Sequence, residues 1–134
     1  MVSPAPISRT QLWAGRVLSG LAVLFFLMDA GMKIPPAPQV LTTMADIGWP
    51  ATPEMARTLA AILLICTALY VWPRTSVLGA ILLTGYLGGA IATHLRIESP
   101  LFSHTLFSLY IAGPMWLGLW LRNARLRALV PLER

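Results

Sequence analysis

The chain has 134 residues, of which 57% are hydrophobic and 11% are charged, and its mean hydropathy is +0.71. A soluble domain of this length cannot bury so much apolar surface, so the composition excludes an ordinary soluble protein. The net charge of +5 comes from cations that flank apolar stretches and form no single basic face, which argues against a nucleic-acid partner.

Four apolar stretches are long enough to cross a bilayer, for which about 20 residues are needed. They run over residues 12–33, 53–72, 76–95 and 100–121. These stretches use most of the chain, so we expect one transmembrane domain over residues 11–122, between a mobile arm (1–10) and a basic tail (123–134). The predicted fold class is all-α: an integral membrane four-helix bundle whose surroundings are the lipid bilayer.

The basic residues are divided unequally between the two ends of these spans. One end carries Arg9, Arg16, Arg74, Arg122, Arg125, Arg127 and Arg134. The other end carries Lys33, Arg57 and Arg96. Because arginine and lysine accumulate on the cytoplasmic side, this division predicts a multi-pass protein of the bacterial inner membrane with both termini in the cytoplasm.

The first span combines a small-residue face with an intramembrane acid. Gly15 and Ser19 are four residues apart, a spacing that lets a neighbouring helix approach closely. Asp29 and Lys33 are also four apart and therefore share one helical face. An ionisable group inside a span is costly, so Asp29 belongs either to a structural ion pair or to a ligand or proton site.

The segment after the first span predicts a short interfacial helix. Pro35, Pro36 and Pro38 end the preceding helix, because proline lacks an amide hydrogen. Residues 39–48 then place apolar side chains at helical spacing up to Gly48, which is typical of an amphipathic helix lying at the membrane surface. Thr52-Pro53-Glu54 and later Ser99-Pro100 resemble helix starts, each with a hydroxyl cap followed by proline.

The third span is rich in glycine. Gly85 and Gly89 form a Gly-x-x-x-Gly face, from which we expect close packing that carries Arg96 to the polar end of the bundle. The second span contributes the chain's single cysteine, Cys66. One cysteine provides no dithiol chemistry within the chain, so a buried apolar thiol is expected.

Most of the remaining polar residues fall at the non-cytoplasmic ends of the spans. They are Asp29, Lys33, Glu54, Arg57, His94, Arg96, Glu98 and His104. The spacing of the two histidines matches no metal motif, so no metal is predicted. A pocket for a polar-headed lipid such as a quinone and a purely structural charge layer both remain open. No nucleophile, phosphate-binding or dinucleotide motif is present, so the sequence indicates no particular enzymatic reaction. Whether the protein is an enzyme is left open.

Three segments of the sequence are similar to the DoxX-like family of small four-span membrane proteins. They are Gly-Met-Lys at 31–33, Ala-Asp-Ile-Gly-Trp-Pro at 45–50, and Gly-Ala-Ile-Ala-Thr-His-Leu-Arg at 89–96, followed by the restart at Pro100. The resemblance implies a four-helix membrane bundle and an association with redox processes, since the family is named after a subunit of a thiosulfate:quinone oxidoreductase. More distant relatives include a chaperone of receptor assembly.

The residues and the resemblance together predict a small accessory subunit that supports a membrane redox partner. A homo-oligomer is the other predicted association. It would bind a lipid-like ligand, of which a quinone is one candidate, at the non-cytoplasmic end of the bundle. The alternative is a non-catalytic assembly or chaperone-like factor. The predicted ligand-binding residues are Asp29, Lys33, Arg57, His94, Arg96 and His104.

Overall fold

The computed structural model describes residue 3 and residues 5–132. All of the regular secondary structure in these residues is helical. The helices are α1 (Arg9–Lys33), α2 (Pro38–Asp46), α3 (Pro53–Val71), α4 (Ser76–Arg96), α5 (Phe107–Arg122) and α6 (Ala124–Leu129), with a π-helical segment (Leu101–Thr105) before α5. The predicted arm and tail therefore both contain helix: α1 begins at Arg9, and α6 occupies part of the tail. Arg134 and residues 1, 2 and 4 lie outside the described residues.

Three helices, α1, α3 and α4, are long and apolar enough to cross a membrane. The fourth predicted stretch is divided, because the amides of His104 and Thr105 both donate to the carbonyl of Pro100 at 3.1 Å. This wide π-helical turn ends at Leu106, and α5 has 16 residues. The fourth predicted stretch consequently lacks the single long helix that the hydropathy pattern predicts.

The four longest helices enclose one apolar core. Helix α1 packs against α3 and α5, and α4 packs against the same two helices. Phe26, Leu63, Leu83, Met115 and Leu119 are almost completely buried between them. Many large apolar side chains lie on the outer surface instead, including Leu24 and Ile65, each more than 60% exposed. An apolar core inside an apolar surface is the arrangement expected of an integral membrane protein.

Small residues allow two close helix contacts. The predicted small-residue face of α1 is confirmed, since a Cβ at Gly118 of α5 would lie 2.7 Å from the backbone nitrogen of Ser19 and 2.8 Å from the carbonyl oxygen of Gly15. Gly79 of α4 similarly lies against the backbone of Tyr70 in α3. These contacts depend on glycine because backbone atoms fill the space that a side chain would need.

The prediction that Gly85 and Gly89 form a close packing face is wrong. A Cβ built at either position would meet nothing within 4 Å. Helix α4 makes its close contact at Gly79, nearer its first turn, and farther along it packs through larger buried residues, Leu83 and Leu87. The two glycines therefore border open space.

One of the two predicted helix caps is observed in the structure. The hydroxyl of Thr52 accepts a hydrogen bond from the amide of Met55 at 3.2 Å, as predicted. Ser8 and Gln11 form a reciprocal capping box at the start of α1, which the Ser-x-x-Gln spacing could have indicated. Ser99 does not cap the segment that begins after Pro100, because its hydroxyl instead contacts the ring of His94.

The arginine-rich end is closed by a buried hydrogen-bond network. Tyr70 is completely buried, and its hydroxyl donates to the carbonyl of Met115 at 2.7 Å. The hydroxyl oxygen of Tyr70 also lies 2.8 Å from Oγ of Ser19. Oγ of Ser19 in turn accepts a hydrogen bond from Nε of Arg122 at 3.1 Å. Because each polar group has a partner, α1, α3 and α5 can meet here in an apolar layer. Cys66 is buried, as predicted.

Candidate functional site

A cavity of about 550 Å³ lies near the end of the molecule where α1 and α4 finish. The residues that line it come from α1, α2, α3, α4, the π-helical segment and α5, and include Phe25, Asp29, Lys33, Val40, Met44, Trp49, Gly85, Tyr86, Gly89, His94, His104, Phe107 and Ile111. Its volume falls within the usual range for small-molecule sites, about 300–1,000 Å³.

Its inner part is apolar. Phe25 on α1 and Phe107 on α5 form one wall, with ring centroids 5.5 Å apart. Ile111 continues this wall along α5. On α4, Gly85 and Gly89 present no side chains and leave the space open. Aromatic and aliphatic walls beside a side-chain-free helix face suit a hydrocarbon chain or a ring.

Helix α2 covers one side of the cavity. Its apolar residues Val40 and Met44, and Ile47 just after it, all line the space, and Met44 is almost fully buried. Trp49 lines the same side. The helix predicted from residue 39 is thus confirmed at Pro38–Asp46, and its apolar face is directed at a cavity.

One ion pair lies in the cavity wall. Nζ of Lys33 donates a short hydrogen bond to a carboxylate oxygen of Asp29 one helical turn away. Among residues 3 and 5–132 this is the only salt bridge. Because the two charges are in contact, each lowers the cost of placing the other at membrane depth.

Two histidines meet in the polar part of the cavity wall. His94 at the end of α4 and His104 in the π-helical segment have ring centroids 5.8 Å apart in an edge-to-face arrangement. Nδ1 of His94 is 3.0 Å from Oγ of Ser99, and Nδ1 of His104 is 2.7 Å from Oγ of Ser103. With Nδ1 engaged in each ring, Nε2 is the nitrogen available to a ligand.

The predicted arginines are not part of this wall. Nε of Arg57 donates to the carbonyl of Ile34 at 3.0 Å, and Nη2 of Arg96 donates to the carbonyl of Ile47 at 2.6 Å. These carbonyls stand on either side of α2, so the arginines fasten both ends of the segment that covers the cavity. Gly48 has a φ of +82°, and a Cβ there would lie 2.6 Å from Nη2 of Arg96.

The six predicted site residues thus divide into two groups. Four of them, Asp29, Lys33, His94 and His104, line one cavity, while Arg57 and Arg96 bind backbone next to it. A ligand-binding role remains a prediction for all six. The described residues contain no group of three or more side chains suited to hold a metal ion.

Sequence reasoning missed several uncharged lining residues. Tyr86 and Trp49 line the cavity, yet an aromatic residue in an apolar stretch more often belongs to a core. The position of Tyr86 beside Gly85, in a helix with few other large polar groups, was the available signal. Trp49 could have been linked to the site because it follows an amphipathic helix directly.

The fold and cavity define a class: a small all-helical integral membrane protein with a pocket at one end of its helices. The DoxX-like family model matches residues 17–118. The chain belongs to this family, and all three segments quoted above lie within the match. No curated protein and no solved structure matches the chain.

Two of these segments contact each other in the structure. Ile47 and Gly48 come from the Ala-Asp-Ile-Gly-Trp-Pro segment, and Arg96 ends the Gly-Ala-Ile-Ala-Thr-His-Leu-Arg segment. The guanidinium of Arg96 reaches the carbonyl of Ile47 across the site that a Gly48 side chain would occupy. This contact gives a physical reason for glycine and arginine in the two segments.

Proposed function

We propose that the protein is a four-span membrane subunit that binds a lipid-like ligand in the cavity between α1, α2, α4 and α5. The observation that carries this proposal is one space with apolar walls and a polar rim. Phe25, Phe107 and Ile111 would contact the tail, while His94 and His104 would hydrogen-bond the head group. A quinone is one candidate, since its carbonyl oxygens accept hydrogen bonds and its tail is apolar.

In this proposal the π-helical segment and α5 together form the fourth span, residues 101–122. Twenty-two residues cover about 33 Å at the rise of an α-helix, enough for a bilayer core of about 30 Å. The chain's single thiol, Cys66, cannot undergo dithiol chemistry alone. The redox reaction would therefore take place on a membrane partner, and the ligand would serve that partner. A second copy of the chain is the other proposed partner.

The orientation belongs to the same proposal. Arg74 lies in the turn between α3 and α4, at the end where α1 begins and α5 finishes, and we propose that this end faces the cytoplasm. We expect a membrane-impermeant maleimide to label Ala51→Cys in cells whose outer membrane has been permeabilised and Arg74→Cys only after the inner membrane is opened. Both positions are exposed, whereas native Cys66 is buried. The reverse labelling pattern would invert the topology.

Lipid extraction and mass spectrometry of the gently purified protein test the ligand directly. We expect one class of amphiphile at near-stoichiometric amounts and a smaller amount in His94→Ala, because a lost hydrogen bond worth about 1 kcal/mol weakens binding about fivefold. Trp120→Phe is the control, since Nε1 of Trp120 donates to the carbonyl of Val130 and Trp120 does not line the cavity. It should lower thermal stability and leave the ligand content unchanged.

An assembly or chaperone-like factor is the second candidate function, and the polar contacts support it. Asp29 and Lys33 satisfy each other, and both arginines bind backbone. None of these contacts needs a ligand. If extraction yields only bulk membrane lipids in bulk proportions, and His94→Ala changes stability alone, this second function replaces the first.

A further inference from the structure

The cavity wall carries one positive and one negative charge, and these two charges are in direct contact. Of the residues that line the cavity, only Lys33 and Asp29 are charged when the histidines are neutral. Lys33 donates its hydrogen bond to Asp29, and its side chain is 14% exposed compared with 33% for Asp29. The ammonium is thus the more enclosed partner, and its charge is already compensated.

A charged head group would meet an unfavourable environment in such a cavity. An anionic head near the ammonium of Lys33 would also lie near the Asp29 carboxylate, whose repulsion would cancel most of the attraction. A cationic head near Asp29 would meet the same cancellation from Lys33. The ion pair therefore offers a charged head group too little net attraction to offset the cost of taking its charge out of water.

The other polar groups that line the cavity are uncharged when the histidines are neutral. Gln39, Thr43 and Tyr86 line the cavity alongside the two histidines, and so does Thr93, whose hydroxyl already donates to the carbonyl of Gly89. Hydroxyl, amide and imidazole groups can each bind a carbonyl or hydroxyl oxygen without a net charge. The other cations near the site, Arg57 and Arg96, are engaged with backbone carbonyls.

We infer that the site selects amphiphiles with uncharged carbonyl or hydroxyl head groups, and that the Asp29–Lys33 pair enforces this selection. The inference rests on the proposed function and specifies its ligand class. The pair is a selectivity device because it cancels the charge that would otherwise attract fatty acids or phospholipids. Changing one partner should therefore change which head group is preferred.

The test uses two photoreactive probes with the same 16-carbon chain and diazirine, one ending in a hydroxyl and the other in a carboxylate. Labelling of cavity peptides is measured by mass spectrometry at about pH 8, where free imidazole is neutral. In the wild-type protein we expect the hydroxyl probe to label the cavity about tenfold more strongly. This ratio is the difference expected between a neutral hydrogen bond and an uncompensated charge.

Two single variants change the net charge of the wall, and a double variant restores neutrality. Asp29→Asn is nearly isosteric and leaves Lys33 unpaired, so the preference should reverse by about tenfold toward the carboxylate probe. Lys33→Gln leaves Asp29 unpaired, which should reduce carboxylate labelling further. The double variant Asp29→Asn/Lys33→Gln is neutral again and should recover the wild-type preference for the hydroxyl probe.

The outcomes separate the two proposals. If both probes label the cavity and the wild-type protein prefers the carboxylate, the inference fails while the ligand site stands. If Asp29→Asn keeps the wild-type preference, or if the double variant keeps the reversed preference expected of Asp29→Asn, the pair does not determine selectivity. If neither probe labels cavity peptides above those on the outer faces of α1 and α3, the proposed function itself fails.

Discussion

Gly79→Ala is expected to lower the free energy of unfolding by about 3 kcal/mol, the upper part of the range for overpacking a tight contact. The added methyl group would overlap the backbone nitrogen of Tyr70 and lie 2.5 Å from its Cα. Neither helix can easily move away, because Ser76 Oγ donates to the carbonyl of Tyr70 at 2.7 Å and Thr75 Oγ1 donates to that of Leu69 at 2.7 Å.

The same helix offers a matched control. A Cβ at Gly88 would meet nothing within 4 Å, so Gly88→Ala should stabilise the protein by about 0.5–1 kcal/mol through helix propensity. Unfolding in mixed micelles with increasing SDS fraction measures both variants. Equal stability of Gly79→Ala and Gly88→Ala would show that α3 and α4 do not meet as closely as the structure has them.

The positions of the helices could be predicted from the sequence because the signals are local. Hydropathy defines α1, α3 and α4, and Pro35, Pro36 and Pro38 mark the break before α2. The Asp29–Lys33 pair is likewise local, since the i,i+4 spacing brings both side chains to one face of α1. Membrane insertion strengthens such predictions, because a helix must satisfy its own backbone in lipid.

The role of the α4 glycines could not be read from their spacing. A Gly-x-x-x-Gly pattern shows that two small residues share a helix face, but not whether another helix or an open space lies opposite. Gly79 packs on α3, whereas Gly85 and Gly89 border the cavity. Which of the two occurs depends on which face of α4 the other helices cover, and this is a tertiary property.

Only part of the candidate site could be predicted from the sequence, because its contacts also depend on tertiary structure. Arg57 and Arg96 have long side chains that bond to carbonyls 23 and 49 residues away in the chain, and helical periodicity does not predict such contacts. The meeting of His94 with His104 depends on the turn between them, in which Glu98 adopts a φ of 55°. Residue types identified the polar end, but loop geometry decided which side chains enter the cavity.

Gly85→Leu is expected to weaken binding of the co-purifying ligand at least tenfold, equivalent to about 1.4 kcal/mol or more in binding free energy, and so to lower the amount that co-purifies. The four added carbons would project into the cavity, whose lining also includes Phe25 and Tyr86. They meet no protein atom at the Cβ, so the helix should keep its position while the volume for a ligand is lost. Thermal stability without ligand should stay the same or rise, because leucine favours a helix more than glycine does.

Gly88→Leu is the matched control for this experiment. Gly88 is on the same helix and equally unobstructed, but it is not among the residues that line the cavity. It should retain wild-type ligand content, measured as extracted lipid per protein by mass spectrometry. Because both variants add the same side chain to α4, a loss confined to Gly85→Leu can come only from occupation of the cavity. Full ligand content in Gly85→Leu would mean that the co-purifying molecule binds elsewhere, and the site would then have to be sought on the outer helix faces.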